Sequence, residues 1–183
     1  MPQHPSPVLV ETERLLLREI TIDDAADLFE MDADPAVHRY IHNQPLQQIE
    51  EQYTMIDMIQ QQYKDFGIAR WAVVDKQSGE CLGWAGLKYY TEPLNGHQDF
   101  YELGYRFKQK HWGKGYATEA ARAAIRYGFN ERSAPCLYAI TDIDNQASRN
   151  VLTKLGFQLA EIFEEEGRPL TWYTLERENY TLI

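Results

Sequence analysis

The spacing of apolar positions changes period several times along the chain, and each change marks an element. Arg14 to Ile20 (RLLLREI) is rich in leucine and reads as a strand. Thr21 then caps a predicted helix over Ile22 to Met31, with Asp23 and Asp24 near the positive end of its dipole. Pro35 predicts the end of that element. Leu46, Ile49, Tyr53, Ile56, Ile59 and Tyr63 recur at steps of three and four, which predicts a long amphipathic helix stopped at Gly67. The period then shortens to that of strands. Trp71 to Asp75 and Cys81 to Tyr90 flank the turn Lys76-Gln77-Ser78-Gly79 and predict a hairpin.

Thr91 to Gln98, with Pro93, Asn95 and Gly96, reads as a loop, and Phe100 to Phe107 (FYELGYRF) as the next strand. From Gly115 to about Phe129 the pattern turns helical, with Ala117, Ala120, Ala121, Ala124 and Gly128 on a small-residue face suited to close packing on a sheet. A strand over Leu137 to Thr141 and a helix over Gln146 to Leu155 follow, with Gly156 at its C-terminal cap. Phe157 to Phe163 and Leu170 to Leu175 predict a closing pair of strands. This order, β-α-α-β-β-β-α-β-α-β-β, predicts one layered α/β domain around a mixed sheet. Residues 1–9 read as a flexible tail, since three prolines fall within Met1 to Pro7 and the segment lacks the basic and apolar regions of a signal peptide.

Composition narrows the function classes. A chain of 183 residues suits one core. A net charge of −10 argues against a nucleic-acid partner, whose phosphates need a basic footprint. No apolar run reaches membrane-spanning length, so a cytoplasmic location is expected. Cys81 and Cys136 lie in apolar strand-like runs without CxxC spacing and are expected as buried free thiols. His38 and His42 share a helical spacing, but HRYIH lacks the glutamate of a metal-binding HExxH and no third ligand stands out, so no metal is expected. His111 reads as packing or rim, Glu164 to Glu166 as a solvated loop, and Trp84, Tyr89, Tyr90, Trp172 and Tyr173 as core.

The chemistry concentrates in Glu102 to Phe107, the loop Lys108 to Trp112, and Gly113-Lys-Gly-Tyr-Ala-Thr-Glu119. A strand running through two glycines into a helix leaves several N–H groups unpaired and pointing one way. With the positive end of the helix dipole they favour a phosphate or pyrophosphate. Lys114 adds charge at the rim. A nucleoside-triphosphate P-loop needs Lys-Ser/Thr after the last glycine, and Gly115 is followed by Tyr116. A Rossmann fingerprint needs a third glycine where Thr118 stands, early in a βαβ unit.

The string HWGKGYATEA (His111 to Ala120) resembles the coenzyme-A motif of the GNAT superfamily of N-acetyltransferases, nearest to its RimJ/RimL-like branch. In the superfamily pattern Q/R-x-x-G-x-G/A, Trp112 takes the first place, Gly115 the glycine and Ala117 the last. ETERLLLRE (Glu11 to Glu19), ELGY (Glu102 to Tyr105) and NQASRNVLTKLGF (Asn145 to Phe157) extend the likeness, in order, over about residues 10 to 176. The resemblance implies a central mixed, mostly antiparallel sheet flanked by about four helices. It implies direct attack of a primary amine, on a protein N-terminus or a small molecule, upon acetyl-CoA in a ternary complex. Gly113, Lys114, Gly115, Tyr116, Ala117 and Thr118 are then candidates for the pyrophosphate. Leu103, Gly104, Tyr105, Arg106 and Phe107, on a splayed strand, are candidates for pantetheine and for a backbone N–H on the thioester carbonyl.

Many superfamily members carry a tyrosine general acid four residues before the GF pair, and this chain has Leu152 there. Ser148, one helical turn earlier, matches a serine proposed as the thiolate acid in the RimJ/RimL-like branch; its plainer role is to bond backbone at a helix start. Asn145 matches an asparagine that bonds pantetheine, and also suits a helix N-cap. Glu102 is the candidate base, through water; its reference pKa of about 4.3 requires partial burial, and its plainer role is to face solvent or pair with an arginine. Tyr40 and His42 fall in the region that resemblance places beside the acceptor. Family habit suggests a homodimer. The rival readings are a non-catalytic CoA-binding sensor on the same fold and, from the Gly113/Gly115 pair alone, a nicotinamide-dinucleotide oxidoreductase.

Overall fold

The structure, a computed structural model, describes residues 8–180. The expected tail lies outside them as far as residue 7. Val8 and Leu9 depart from it, because Val8–Glu11 is a strand, β1, antiparallel to β2 (Leu15–Glu19). Thr21 caps as expected, its N–H donating to Asp24 Oδ2 at 2.8 Å. The first turn, Ile22–Asp24, is 3-10, and α1 runs from Ala25–Asp32. Pro35 begins an element as well as ending one. Asp34 accepts the Ala36 N–H at 2.8 Å, and Pro35–His38 forms a short helix, α2. Proline suits that first helical position because its missing donor would have no partner there anyway. Helix α3 (Ile49–Phe66) stops at Gly67, whose φ of +66° is the left-handed cap.

The remaining strands are β3 (Trp71–Asp75), β4 (Cys81–Tyr90), β5 (Phe100–Phe107), β6 (Cys136–Asp142), β7 (Gln158–Glu165) and β8 (Arg168–Glu176). With α4 (Tyr116–Asn130) and α5 (Gln146–Lys154), the described residues hold five α-helices, α2 being the one unforeseen. The eight strands form one sheet in the order β1-β2-β3-β4-β5-β6-β8-β7. Every neighbouring pair is antiparallel except β5–β6, whose parallel crossover is α4. This is the mixed, mostly antiparallel α/β architecture expected. A single parallel pair cannot build the doubly wound halves of a dinucleotide fold.

Apolar residues sort to the two faces of the sheet. On one, α1 and α3 bury Leu28, Met31 and Ile56 against Ala72 and Val74, with Trp84 packed beside them. On the other, α4 and α5 bury Ala120, Ala121, Ala124 and Leu152 against Leu87, Leu103 and Phe107. A Cβ on Gly128 would lie 2.7 Å from Leu87 Cδ1, so this glycine sets how closely α4 approaches the sheet. Both cysteines are buried free thiols.

Candidate active site

The register of the parallel pair creates the site. β5 and β6 pair at Tyr101↔Leu137, Glu102↔Tyr138 and Leu103↔Ala139, then part. β4 holds β5 as far as Phe107, while β8 holds β6 as far as Asp142, so the two strands diverge with their outer partners intact. Beyond Leu103, alternate N–H and C=O groups of β5 turn away from β4 into this gap. A cavity of about 620 Å³ passes through it from one face of the sheet to the other. Two reactants can therefore meet there from opposite sides.

On the α1–α2 side, Glu102, Gly104 and Arg106 share a face with Trp84. Arg70 crosses this face. Its Nη1 donates to the carbonyls of Gly86 at 2.6 Å and Glu102 at 2.7 Å, and its Nη2 pairs with Glu102 Oε2. Gly104 makes the room, since a Cβ there would lie 2.6 Å from Arg70 Nη2. The Trp84 ring lies between two guanidiniums, 5.2 Å from Arg70 and 5.1 Å from Arg106. Arg106 in turn donates to buried Asp32 at 2.6 Å, with His38 Nε2 at 3.6 Å from the same oxygen. Burial pushes the Glu102 carboxyl up, against the pull of Arg70 and Lys88. Glu102 Oε1 takes no hydrogen bond from the described residues, and its carboxylate lines the cavity.

On the α5 side, Asn145 Oδ1 accepts the Ser148 N–H at 3.1 Å and caps the helix. The Tyr105 hydroxyl donates to the Ser148 carbonyl at 3.1 Å and lies 3.1 Å from Ser148 Oγ. Below the gap, Trp112 Nε1 donates to the Phe107 carbonyl at 2.7 Å and folds the loop back onto β5. Gly113 (φ +74°) and Gly115 (φ +81°) then make the left-handed turn into α4. From Gly113 to Thr118, no N–H finds an acceptor among the described residues. Glu119, also in this first turn, is occupied. Thr12 Oγ1 at 2.6 Å, the Arg14 N–H at 2.9 Å and Arg14 Nε at 2.7 Å all donate to it, which leaves the turn free to meet an anion.

The loop is stapled to α1 by buried Lys108. Its Nζ donates to Asp27 at 2.6 Å, Glu30 at 2.8 Å and Glu80 at 2.9 Å. These three carboxylates converge as metal ligands would, yet they converge on an ammonium. Partial burial works to raise the Glu80 carboxyl, but hydrogen bonds from Lys110, Lys108 and His111 outweigh it and hold it at about 2. A depressed carboxyl stabilises the fold above its unfolded pKa and loses that contribution as pH falls through the folded value. Stability should therefore drop between pH about 4.5 and about 2. Lys108→Met, which leaves the carboxylates facing one another, should cost about 2 kcal/mol at pH 7 and progressively less on acidification. Urea unfolding at several pH values measures both.

Of the residues singled out from sequence, the cavity is lined by Tyr40, His42, Glu102, Leu103, Gly104, Tyr105, Arg106, Phe107, Trp112, Ala117, Asn145 and Ser148. Gly113, Lys114 and Tyr116 lie outside it, while Gly115 and Thr118 line a second cleft along α4. For Glu102, pairing with an arginine is the plainer role that the structure contains, and for Asn145 the N-cap. Trp84 and Tyr90, expected as core, are only partly buried and line the cavity. Glu164 and Glu165 end β7 instead of lying in a loop, and Glu165 and Glu166 also line the cavity. Trp172 and Tyr173 are buried as expected. His42 is exposed and His38 buried, so the two do not converge. Arg70, Asp32 and Lys108 were not found by sequence reasoning.

The model of the acetyltransferase (GNAT) domain family matches residues 14–158. The chain is 35% identical over 170 residues to the uncharacterized protein YkkB of Bacillus subtilis (strain 168), covering 92% of this chain and 95% of that one. It is 29% identical over 144 residues to the spermidine N(1)-acetyltransferase of Escherichia coli (strain K12), covering 78% and 72%. The crystal structure of an acetyltransferase from Agrobacterium tumefaciens str. C58 shares the fold at a TM-score of 0.78, with 23% identity over 96% of this chain and 97% of that one.

Proposed function

The chain belongs to the acetyltransferase (GNAT) domain family, and from that premise we propose that it moves the acetyl group of acetyl-CoA onto a primary amine by direct attack in a ternary complex. The observation that carries this reading is the cavity crossing the sheet at the β5–β6 gap. Holding amine and thioester at one point from two faces removes much of the entropy cost of a bimolecular step. The cofactor would thread from the α4 turn through the gap. Gly113 to Thr118 would hold its pyrophosphate, with Lys114 at the rim and Trp112 fixing the loop. Leu103 to Phe107 and Asn145 would bond pantetheine, and a β5 N–H would polarise the thioester carbonyl.

The acceptor amine would approach past Tyr40 and His42 toward Glu102. An α-amino group titrates near 8 and a lysine-type amine near about 10.4, so either must lose a proton before attack. Glu102 Oε1, open to the cavity on a carboxyl raised by burial, suits that task through water. This favours an enzyme over a silent CoA sensor. Trp112 and Ser148 agree with the RimJ/RimL-like branch, and an intracellular, homodimeric enzyme is the corresponding proposal. The acceptor would be a protein N-terminus or a small amine such as the polyamine named in the Escherichia coli relative.

Calorimetric titration tests the donor, with acetyl-CoA expected to bind at micromolar affinity and NADH to give no heat. A panel of N-terminal peptides and polyamines then tests transfer. Binding without turnover on any amine would return the sensor reading, and silence with acetyl-CoA would end both.

A further inference from the structure

Leu152 leaves the α5 side of the gap without the tyrosine that the family resemblance leads one to expect, yet a phenol stands there. Tyr105 lies on β5, two residues beyond the last pair with β6, on the side opposite Glu102. Its hydroxyl reaches the first turn of α5, bonding the carbonyl of Ser148 and facing its Oγ, each at 3.1 Å. Tyr105, Ser148 and Asn145 all line the cavity there, and the Asn145 carbonyl oxygen is spent on the helix cap. Resting on the acetyl-transfer reading above, we propose that the Tyr105 hydroxyl, held by the Ser148 hydroxyl donating to its oxygen, turns its one proton from the Ser148 carbonyl to the sulfur of the departing coenzyme A thiolate.

The step balances without a further reagent. The amine nitrogen bonds to the acetyl carbon, the carbon–sulfur bond breaks, and its electron pair leaves on sulfur. The proton lost by the amine passes to water by way of Glu102, and the thiolate later takes one from water. Burial pushes the Tyr105 phenol up, well above the range of a thiol, so Tyr105 keeps its own proton and supplies a bond to the anion. The two sides of the gap thus divide the work: a carboxylate takes up positive charge on one, and a hydroxyl steadies negative charge on the other.

Free CoA is the probe, since no acceptor is needed. Its thiolate is titrated by ultraviolet absorbance in complex with the protein, with the desulfo-CoA complex as blank to remove tyrosine ionisation. A donor on sulfur stabilises the thiolate, so the bound thiol should titrate about one pH unit below free CoA. In Tyr105→Phe the shift should vanish, with CoA affinity measured at pH 6, where the thiol is protonated, so that the titration is run on the saturated complex. Ser148→Ala should lose part of the shift. A bound thiol that titrates at or above the free value in the unaltered protein overturns the proposal, whether or not Tyr105→Phe folds. So does an equal shift in Tyr105→Phe. Failure of CoA to bind at all would instead remove the acetyl-transfer reading beneath it.

Discussion

Replacing Arg70 by methionine should lower the free energy of unfolding by about 3 to 5 kcal/mol, the range expected when one partner of a buried ion pair is removed. The side chains of Arg70 and Glu102 are only 12% and 6% exposed, so water replaces little of what each charge gains from the other. The loss goes beyond the Coulombic pair. Arg70 also satisfies the Gly86 and Glu102 carbonyls and fills the space that Gly104 leaves. Methionine occupies that space and supplies no donor. Urea denaturation with an unchanged m-value would report the effect as a shift in midpoint.

The sign of the coupling is as informative as its size. In Arg70→Met the orphaned Glu102 carboxylate is the main burden, so adding Glu102→Gln should recover stability where additive effects would lose more. The penalty of Arg70→Met should also shrink as pH falls, because a protonated Glu102 needs no counter-ion. A penalty below about 1 kcal/mol, constant with pH, would mean that Glu102 is solvated as a surface pair is. It would then lack the raised carboxyl on which its role as base depends. Glu102→Gln alone separates the two functions of the residue, since glutamine keeps most of the packing but cannot accept a proton from the amine.

Which parts of this site were legible in the sequence follows from the range over which each feature is encoded. The strands announce themselves within a few residues, as Trp71–Asp75 and Cys81–Tyr90 do on either side of a five-residue connection. The glycine turn and the Asn145 cap are equally local. The Arg70–Glu102 pair is not. It joins a residue outside any strand to one 32 positions away, and nothing near Arg70 marks it. Glu102 itself carried a signal, because a carboxylate in the same strand phase as Phe100 and Gly104 needs a counter-ion and an adjacent glycine leaves room for one. Lys108 is harder, as its three carboxylates come from two distant segments. Trp84 and Tyr90 have the composition of core residues, and only the cavity on their face of the sheet, a tertiary feature, takes them out of the core. Pro35 was ambiguous for a different reason, since the same residue can end one helix and start the next.

Gly113→Asp should weaken binding of CoA by tens- to a hundred-fold while leaving the fold nearly intact. Gly113 has a φ of +74°, and a Cβ built there meets nothing within 4 Å. Aspartate and asparagine are the residues besides glycine that best tolerate this left-handed conformation, so the backbone cost is small. The added carboxylate, however, sits beside the free N–H groups that open α4. Against a doubly charged pyrophosphate roughly 5 to 6 Å away in a half-wet turn, it would cost about 2 to 3 kcal/mol. Gly113→Asn has the same shape without the charge and should bind CoA within a few-fold of the unaltered protein. The deficit of Gly113→Asp relative to Gly113→Asn should narrow as salt is raised, because screening acts on the charge and not on the shape. If the two variants bound CoA equally well at low salt, the pyrophosphate would not lie at this turn. The second cleft along α4, where Gly115 and Thr118 meet Arg122 and Arg126, would then be the place to look for it.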